Sequence, residues 1–243
     1  MTIAVERSVR YYDNHALEGE EMGQSDVHIR NIHYLFSVLK WLFRGQAVYV
    51  GSELNLYRTH DPKEIPICPD VVVIKGFEPP ANSGADLPSY HIGEDGPPPA
   101  LAIEVASPKT WKDDLAAKPA LYAAFGVREY VAFDPNSRAV WTGKWKNPGR
   151  LWGWQLSESS HEMQELKATP NGRLWSAELE SSLGVEERIL HFYDQDGKLR
   201  LTEAETERER AETAQNRAET EQNRAEKLAA FLRQQGFDPD RLV

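Results

Sequence analysis

The stretch Leu101-Ala102-Ile103-Glu104-Val105-Ala106 sets one carboxylate inside an otherwise apolar run of strand length. An ionised acid in such a run is costly unless something cationic shares its site, and a metal ion is the natural compensation. Period-two alternation puts Leu101, Ile103 and Val105 on one face and Ala102, Glu104 and Ala106 on the other, so small side chains leave space beside the carboxylate. Upstream, Pro69-Asp70-Val71-Val72-Val73-Ile74 has the same construction, an acid heading a β-branched run. Two acids on two core strands point to metal-assisted phosphodiester chemistry, with Mg²⁺ or Mn²⁺ taking the hard oxygen ligands.

Downstream of Glu104, residues 112 to 125 read as a helix closed by Gly126 as its C-terminal cap, and Glu129 to Asp134 returns as a strand. Strand, crossover helix and strand make a parallel βαβ unit. On that helix Lys118 is the cation best placed to stabilise charge on a phosphate, with Asp114 and Tyr122 four residues to either side on one face. Pro119 follows it, so the helix either kinks at Lys118 or starts there with the proline in its first turn.

Upstream, Ser25-Asp26 offers an N-cap to a helix with an apolar stripe of Ile29, Ile32, Phe36, Leu39 and Phe43, ending near Gly45. Ala47 to Val50 and Leu54 to Tyr57 are β-prone runs separated by Gly51-Ser52. Between the two acidic strands, the 24 residues from Gly76 to Pro99 hold six prolines and four glycines, which predicts little regular structure and suits a lid or a subunit contact, with disorder or simple packing the leading reading. Beyond Asp134, turn signals at Pro135-Asn136 and Asn147-Pro148-Gly149 separate runs holding Trp141, Trp145, Trp152 and Trp154, which suggests antiparallel hairpins with core tryptophans.

From Ala204 the sequence repeats every seven residues, with Ala204, Ala211, Ala218 and Ala225 in phase, and predicts one long helix. Alanine in place of leucine forfeits about 2 kcal/mol of burial per seam position, so a coiled coil built on this repeat is weak. Leu228, Phe231, Leu232 and Phe237 are the tail side chains suited to docking. The formal net charge is -10, and from Glu203 onward ten acidic and seven basic residues supply only -3 of it, so a nucleic-acid partner requires a local basic patch or a helper protein. Cys68 is the only cysteine, which excludes an internal disulfide and reads as a small buried hydrophobe in a reducing compartment. No apolar segment is long enough to span a membrane, and the expected localisation is cytoplasmic.

Together, Pro69-Asp70-Val71, the run Ile103-Glu104-Val105-Ala106-Ser107-Pro108, the triplet Asp114, Lys118 and Tyr122, and Gly126-Val127-Arg128-Glu129-Tyr130 leading to Asp134-Pro135 resemble the Uma-type family. That family, abundant in cyanobacteria, consists of restriction-endonuclease-like proteins of the PD-(D/E)XK nuclease superfamily, and the likeness covers most of residues 20 to 200. The resemblance implies Asp70 and Glu104 as metal ligands aided by the Val105 backbone carbonyl. Ala106 stands where the superfamily lysine would be, so Lys118 supplies the amine from the helix instead.

The expected architecture is an α/β, restriction-endonuclease-like domain with a mixed central sheet, flanking helices, a β-hairpin extension and a C-terminal helical tail. Its divisions are an N-terminal arm at 1-25, the nuclease-like domain at 26-200 and the heptad tail at 201-243. The expected activity is metal-dependent DNA cleavage with Asp70, Glu104 and Lys118 as catalytic residues and Mg²⁺ or Mn²⁺ as cofactor. DNA is the expected substrate, in a homo-oligomer, such as a dimer, whose tail can bind a protein partner. The competing reading is an inactive nuclease fold that serves as a binding or assembly module through that tail. At residue level, Asp70 could merely cap a turn and Glu104 could form a structural ion pair with Lys118. Glu53 and His28 are secondary candidates beside the site, with a solvent-facing acid and helix-end packing as their alternatives. His33 reads as a structural histidine.

Overall fold

The computed structural model describes residues 26–61, 63–79, 87–107, 110–135 and 150–236. The expected N-terminal arm and the runs around Trp141 and Trp145 lie outside the described residues. The chain comprises two compact units, Met1–Arg200 and Leu201–Val243.

The first unit is built on a six-stranded mixed sheet. It contains β1 (Val48–Ser52), β3 (Val71–Lys75), β5 (Leu101–Val105), β6 (Glu129–Phe133), β7 (Leu151–Leu156) and β8 (Met163–Glu165), side by side in the order β1-β3-β5-β6-β7-β8. Every neighbouring pair is antiparallel except β5 and β6, which run parallel from Leu101 opposite Glu129 to Val105 opposite Phe133. Only a crossover can connect parallel neighbours, and here it is α2 (Trp111–Leu115) followed by α3 (Lys118–Ala124). The expected single helix is therefore two. The break falls at Ala116 and Ala117, and Lys118 begins α3 with Pro119 in its first turn, where its missing N–H costs nothing. The helix ends as expected on Gly126, whose φ of +70° suits glycine, and a Cβ there would stand 3.3 Å from Pro98.

The two faces of β5 divide as the alternation predicts. Leu101, Ile103 and Val105 join a core with Leu35, Val38 and Leu39 of α1 (Asp26–Leu42) and with Leu174, Leu183, Leu190 and Phe192. The last four come from a three-stranded sheet of β9 (Leu174–Ser176), β10 (Ser181–Glu186) and β11 (Ile189–Tyr193). Ala102 and Ala106 face a second core with Tyr122, Phe125, Tyr130, Ala132 and Trp154. Here Tyr122 stacks on Tyr130, and Tyr130 on Trp154, with ring centroids 4.5 and 5.1 Å apart. The space beside small alanines is thus packed with aromatic rings.

Three expectations need correction. The buried stripe of α1 is His28, Asn31, Ile32, Leu35, Val38 and Leu39, and Ile29 is 40 % exposed. The stripe is rotated because two polar residues, His28 and Asn31, occupy its inner face, Asn31 donating to the Val27 and Arg188 carbonyls. Gly51 does not separate two strands. It lies within β1 opposite Val72, where a Cβ would meet the Tyr49 ring at 2.8 Å, and the break comes two residues later at Glu53, with φ +51°. The proline-rich segment packs into the core through the fully buried Tyr90, whose hydroxyl donates to the Pro97 carbonyl, but it also holds a short strand, β4 (Tyr90–His91), paired in parallel with β2 (Leu56–Tyr57).

The second unit is the expected long helix, α4 (Glu203–Gln234), opened by a capping box between Thr202 and Glu205. Ion pairs such as Arg208 with Glu212 and Glu207 with Arg210 run along it, each stabilising the helix by about 0.2 to 0.5 kcal/mol. Leu228 and Phe231 are exposed. Among the described residues, no helix is long and apolar enough to cross a membrane.

Candidate active site

One step beyond the pairing of Val71 with Ile103, Asp70 stands opposite Glu104, and one step beyond Ser52 with Val71, Glu53 stands opposite Asp70. Asp70 and Glu53 lie just past the paired residues of β3 and β1, which brings both acids to the end of the sheet that holds Glu104. Asp70 is tied to β5 by the Val105 N–H, which donates to its Oδ2 at 2.7 Å, while its Oδ1 lies 3.4 Å from Nε2 of the buried His28. His28, expected near the site, is therefore in it. Glu53 is exposed, and so is His33 on the outer side of α1. Cys68 is exposed too, contrary to expectation. Partial desolvation of its sulfur and the charges of Glu104, Glu53 and Asp70 push its thiol above the ordinary range.

Glu104 is 4 % exposed. Its Oε1 is 2.8 Å from the Lys118 ammonium and accepts the Tyr122 hydroxyl at 2.5 Å. The same ammonium is 2.8 Å from Oδ1 of Asp114, which is fully buried. Thr110 donates to the other Asp114 oxygen at 3.1 Å, and the Tyr130 hydroxyl donates to the Asp114 backbone carbonyl at 2.8 Å, fixing the end of α2 to the sheet. The helical spacing of Asp114, Lys118 and Tyr122 survives the break between α2 and α3, so Lys118 and Tyr122 reach Glu104 while Asp114 meets the shared ammonium.

Three carboxylates share this cluster with one ammonium. Burial, and after it the negative charge of Asp70, pushes Glu104 up to about 8, against the pull of Lys118 and Tyr122. Burial likewise raises Asp114, although Lys118 opposes it. Burial works to lower Lys118, yet Glu104 and Asp114 outweigh it and hold the amine above its ordinary value. Tyr122 is held well above its own by burial and by Glu104. The site is thus short of positive charge, which is the condition a divalent cation satisfies. Among the described residues, no three His, Cys, Asp or Glu side chains form a ready chelate. A pair of carboxylates with the ion keeping its own waters is the arrangement Mg²⁺ favours over an all-protein cage, so Asp70 and Glu104 fit such an ion.

A family model described as "Putative restriction endonuclease", Uma2, matches residues 6–179. The chain belongs to the Uma2 family. Membership supports a nuclease function for this Uma2 chain, and restriction-endonuclease-like proteins generally use divalent metals. Among solved structures, it is similar to a protein from Anabaena variabilis ATCC 29413 described as "a putative nuclease belonging to DUF820". The two are 14% identical with a TM-score of 0.41, over 64% of this chain and 80% of that one. No curated protein matches.

Sequence reasoning reached Asp70, Glu104 and Lys118 through their patterns, and named Asp114 and Tyr122 as neighbours of the lysine. It missed that Asp114 shares the ammonium and that Cys68 sits beside the acids. The signal for Cys68 was its position two residues before Asp70.

Proposed function

We propose that this Uma2 protein is a metal-dependent DNA endonuclease in which Asp70 and Glu104 hold the divalent ion, Mg²⁺ or Mn²⁺, with the Val105 carbonyl as a further ligand. The observation that carries this reading is the charge pattern: Asp70 tied to the Val105 N–H beside Glu104, Glu104 buried with its pKa raised, and an amine 2.8 Å from it. When bound, such an ion supplies Lewis acidity toward a phosphodiester and lowers the pKa of an attacking water.

The chain's own groups do the rest. The Val105 N–H and His28 fix both oxygens of Asp70. Tyr122 and Lys118 both engage Oε1 of Glu104, so Oε2 is the oxygen left for the metal. About a fifth of the Lys118 side chain is open to solvent (21 %). Lys118 can therefore direct a proton at the scissile phosphate and offset the charge that develops there. DNA as the substrate is supported by the family description.

The test is cleavage of supercoiled plasmid and of single-stranded DNA with Mg²⁺ or Mn²⁺ over a salt series, comparing wild type with Asp70→Ala, Glu104→Ala and Lys118→Ala. Metal-dependent cleavage lost in all three folded variants is the expected result. Cleavage that survives removal of both acids, or a wild type that neither cuts nor binds metal by calorimetry, refutes the proposal.

A further inference from the structure

We infer that Asp114 is a positioning residue for the nuclease reaction, acting through Lys118, an inference that rests on the reading of Asp70, Glu104 and Lys118 just given. A lysine side chain has a flexible four-carbon stem and an ammonium that offers three equivalent donors, so a single partner leaves the remaining donors free to rotate. Here the ammonium lies between two carboxylates, 2.8 Å from Glu104 and 2.8 Å from Asp114. Two partners at fixed places restrict where the ammonium sits and how it can turn.

The backbone makes such an anchor necessary. Lys118 is the first residue of α3, immediately after the break that separates it from α2, so no preceding helical turn of α3 steers its stem. Asp114 sits on the other side of that break and spans it with its side chain. Asp114 is itself held on two sides, by Thr110 on its second oxygen and by Tyr130 on its carbonyl. A fully buried acid with this support is a rigid post, whereas the lysine it holds keeps one side open. Without Asp114 the amine would still pair with Glu104, but its free donor would no longer have a fixed aim. Misplacement of a reacting group by about 1 Å can cost 100-fold in rate.

The experiment compares wild type, Asp114→Asn, Lys118→Met and the double variant. Steady-state plasmid cleavage with Mn²⁺ is measured alongside thermal melts in EDTA. Asp114→Asn is expected to lower kcat by about 10- to 100-fold, with KM for DNA and the midpoint for Mn²⁺ held within about 3-fold. Its effect on the melting temperature should reverse sign. In wild type it removes a partner from the ammonium and lowers Tm, and with Lys118→Met it removes one of two buried acids left uncompensated and raises Tm. Thr110→Val, which takes away the hydroxyl donor to Asp114 along with that hydroxyl's contacts to Ser107, should lower kcat in the same direction by less, and it carries the test if Asp114→Asn does not fold. An unchanged kcat in the folded Asp114→Asn variant, or the same loss of Tm in both backgrounds, overturns the inference alone. A wild type that does not cleave overturns the nuclease reading and this role with it.

Discussion

Metal binding should release a proton, and the amount follows from the surroundings of one side chain. Glu104 is buried, faces Asp70 and has its pKa raised from 4.5 to about 8. A gap of this size corresponds to a preference on the order of 5 kcal/mol for the neutral acid over the carboxylate, relative to water. At pH 7 Glu104 in the metal-free site is therefore mostly protonated. Ligation requires the carboxylate, so Mg²⁺ or Mn²⁺ bound at pH 7 should displace a proton, and affinity should climb with pH between about pH 6 and about pH 7.5. The assay is titration calorimetry on EDTA-treated protein in two buffers of different ionisation enthalpy, whose difference in apparent heat counts the protons. Binding with no buffer-dependent heat and a Kd flat over that range refutes the reasoning. The same shift sets a stability trend. An acid whose folded pKa is raised contributes stability in full below its unfolded value of 4.5, and loses it as pH rises through about 8. Metal-free protein should thus melt progressively lower across that window, and saturating Mg²⁺ should flatten the decline.

Gly126→Ala should cost about 1 to 2 kcal/mol in a denaturant melt, because its φ of +70° disfavours a side chain and the new Cβ would press on Pro98. Glu129→Ala should destabilise by about 3 kcal/mol, since the buried carboxylate accepts from the Ser176 hydroxyl and from the Ala177 and Glu178 N–H groups, and alanine leaves these donors unpaired. Equilibrium urea unfolding reads this directly. Thr202→Ala removes the capping box of α4 and should cost about 1 kcal/mol of helix, visible as frayed ellipticity at 222 nm in circular dichroism.

The sheet and the acids were legible because β5 and β3 carry strong signals. A β-branched run with one carboxylate has few structural explanations, and the two faces of β5 separate as alternation requires. The parallel step from β5 to β6 was legible for a related reason, since a helix with a glycine cap between two strands admits one connection. Three things were not. The phase of α1 was hidden because Asn31 and His28 are buried for their hydrogen-bonding partners, Asn31 against the Arg188 carbonyl far along the chain and His28 against Asp70, and hydrophobicity patterns do not register that. The break in the crossover helix was narrowed to two outcomes by Pro119 and decided only by tertiary contacts, among them Tyr130 on the Asp114 carbonyl. The strand at Tyr90 was hidden by the prolines and glycines around it, because a two-residue strand has no periodicity to read.

The order in which the cluster can assemble is set by distance along the chain. Lys118 meets Asp114 four residues away, and Tyr122 meets Glu104 across eighteen, whereas Asp70 reaches the Val105 N–H across thirty-five. Closing a short loop forfeits less chain entropy than closing a long one, so the contacts within the crossover form at lower entropic cost than the docking of β3 on β5. Loop-closure entropy thus favours seating the ammonium between Glu104 and Asp114 before Asp70 docks. In that order the excess negative charge that suits the finished site to a cation would be added last, and the growing core would not have to carry it earlier.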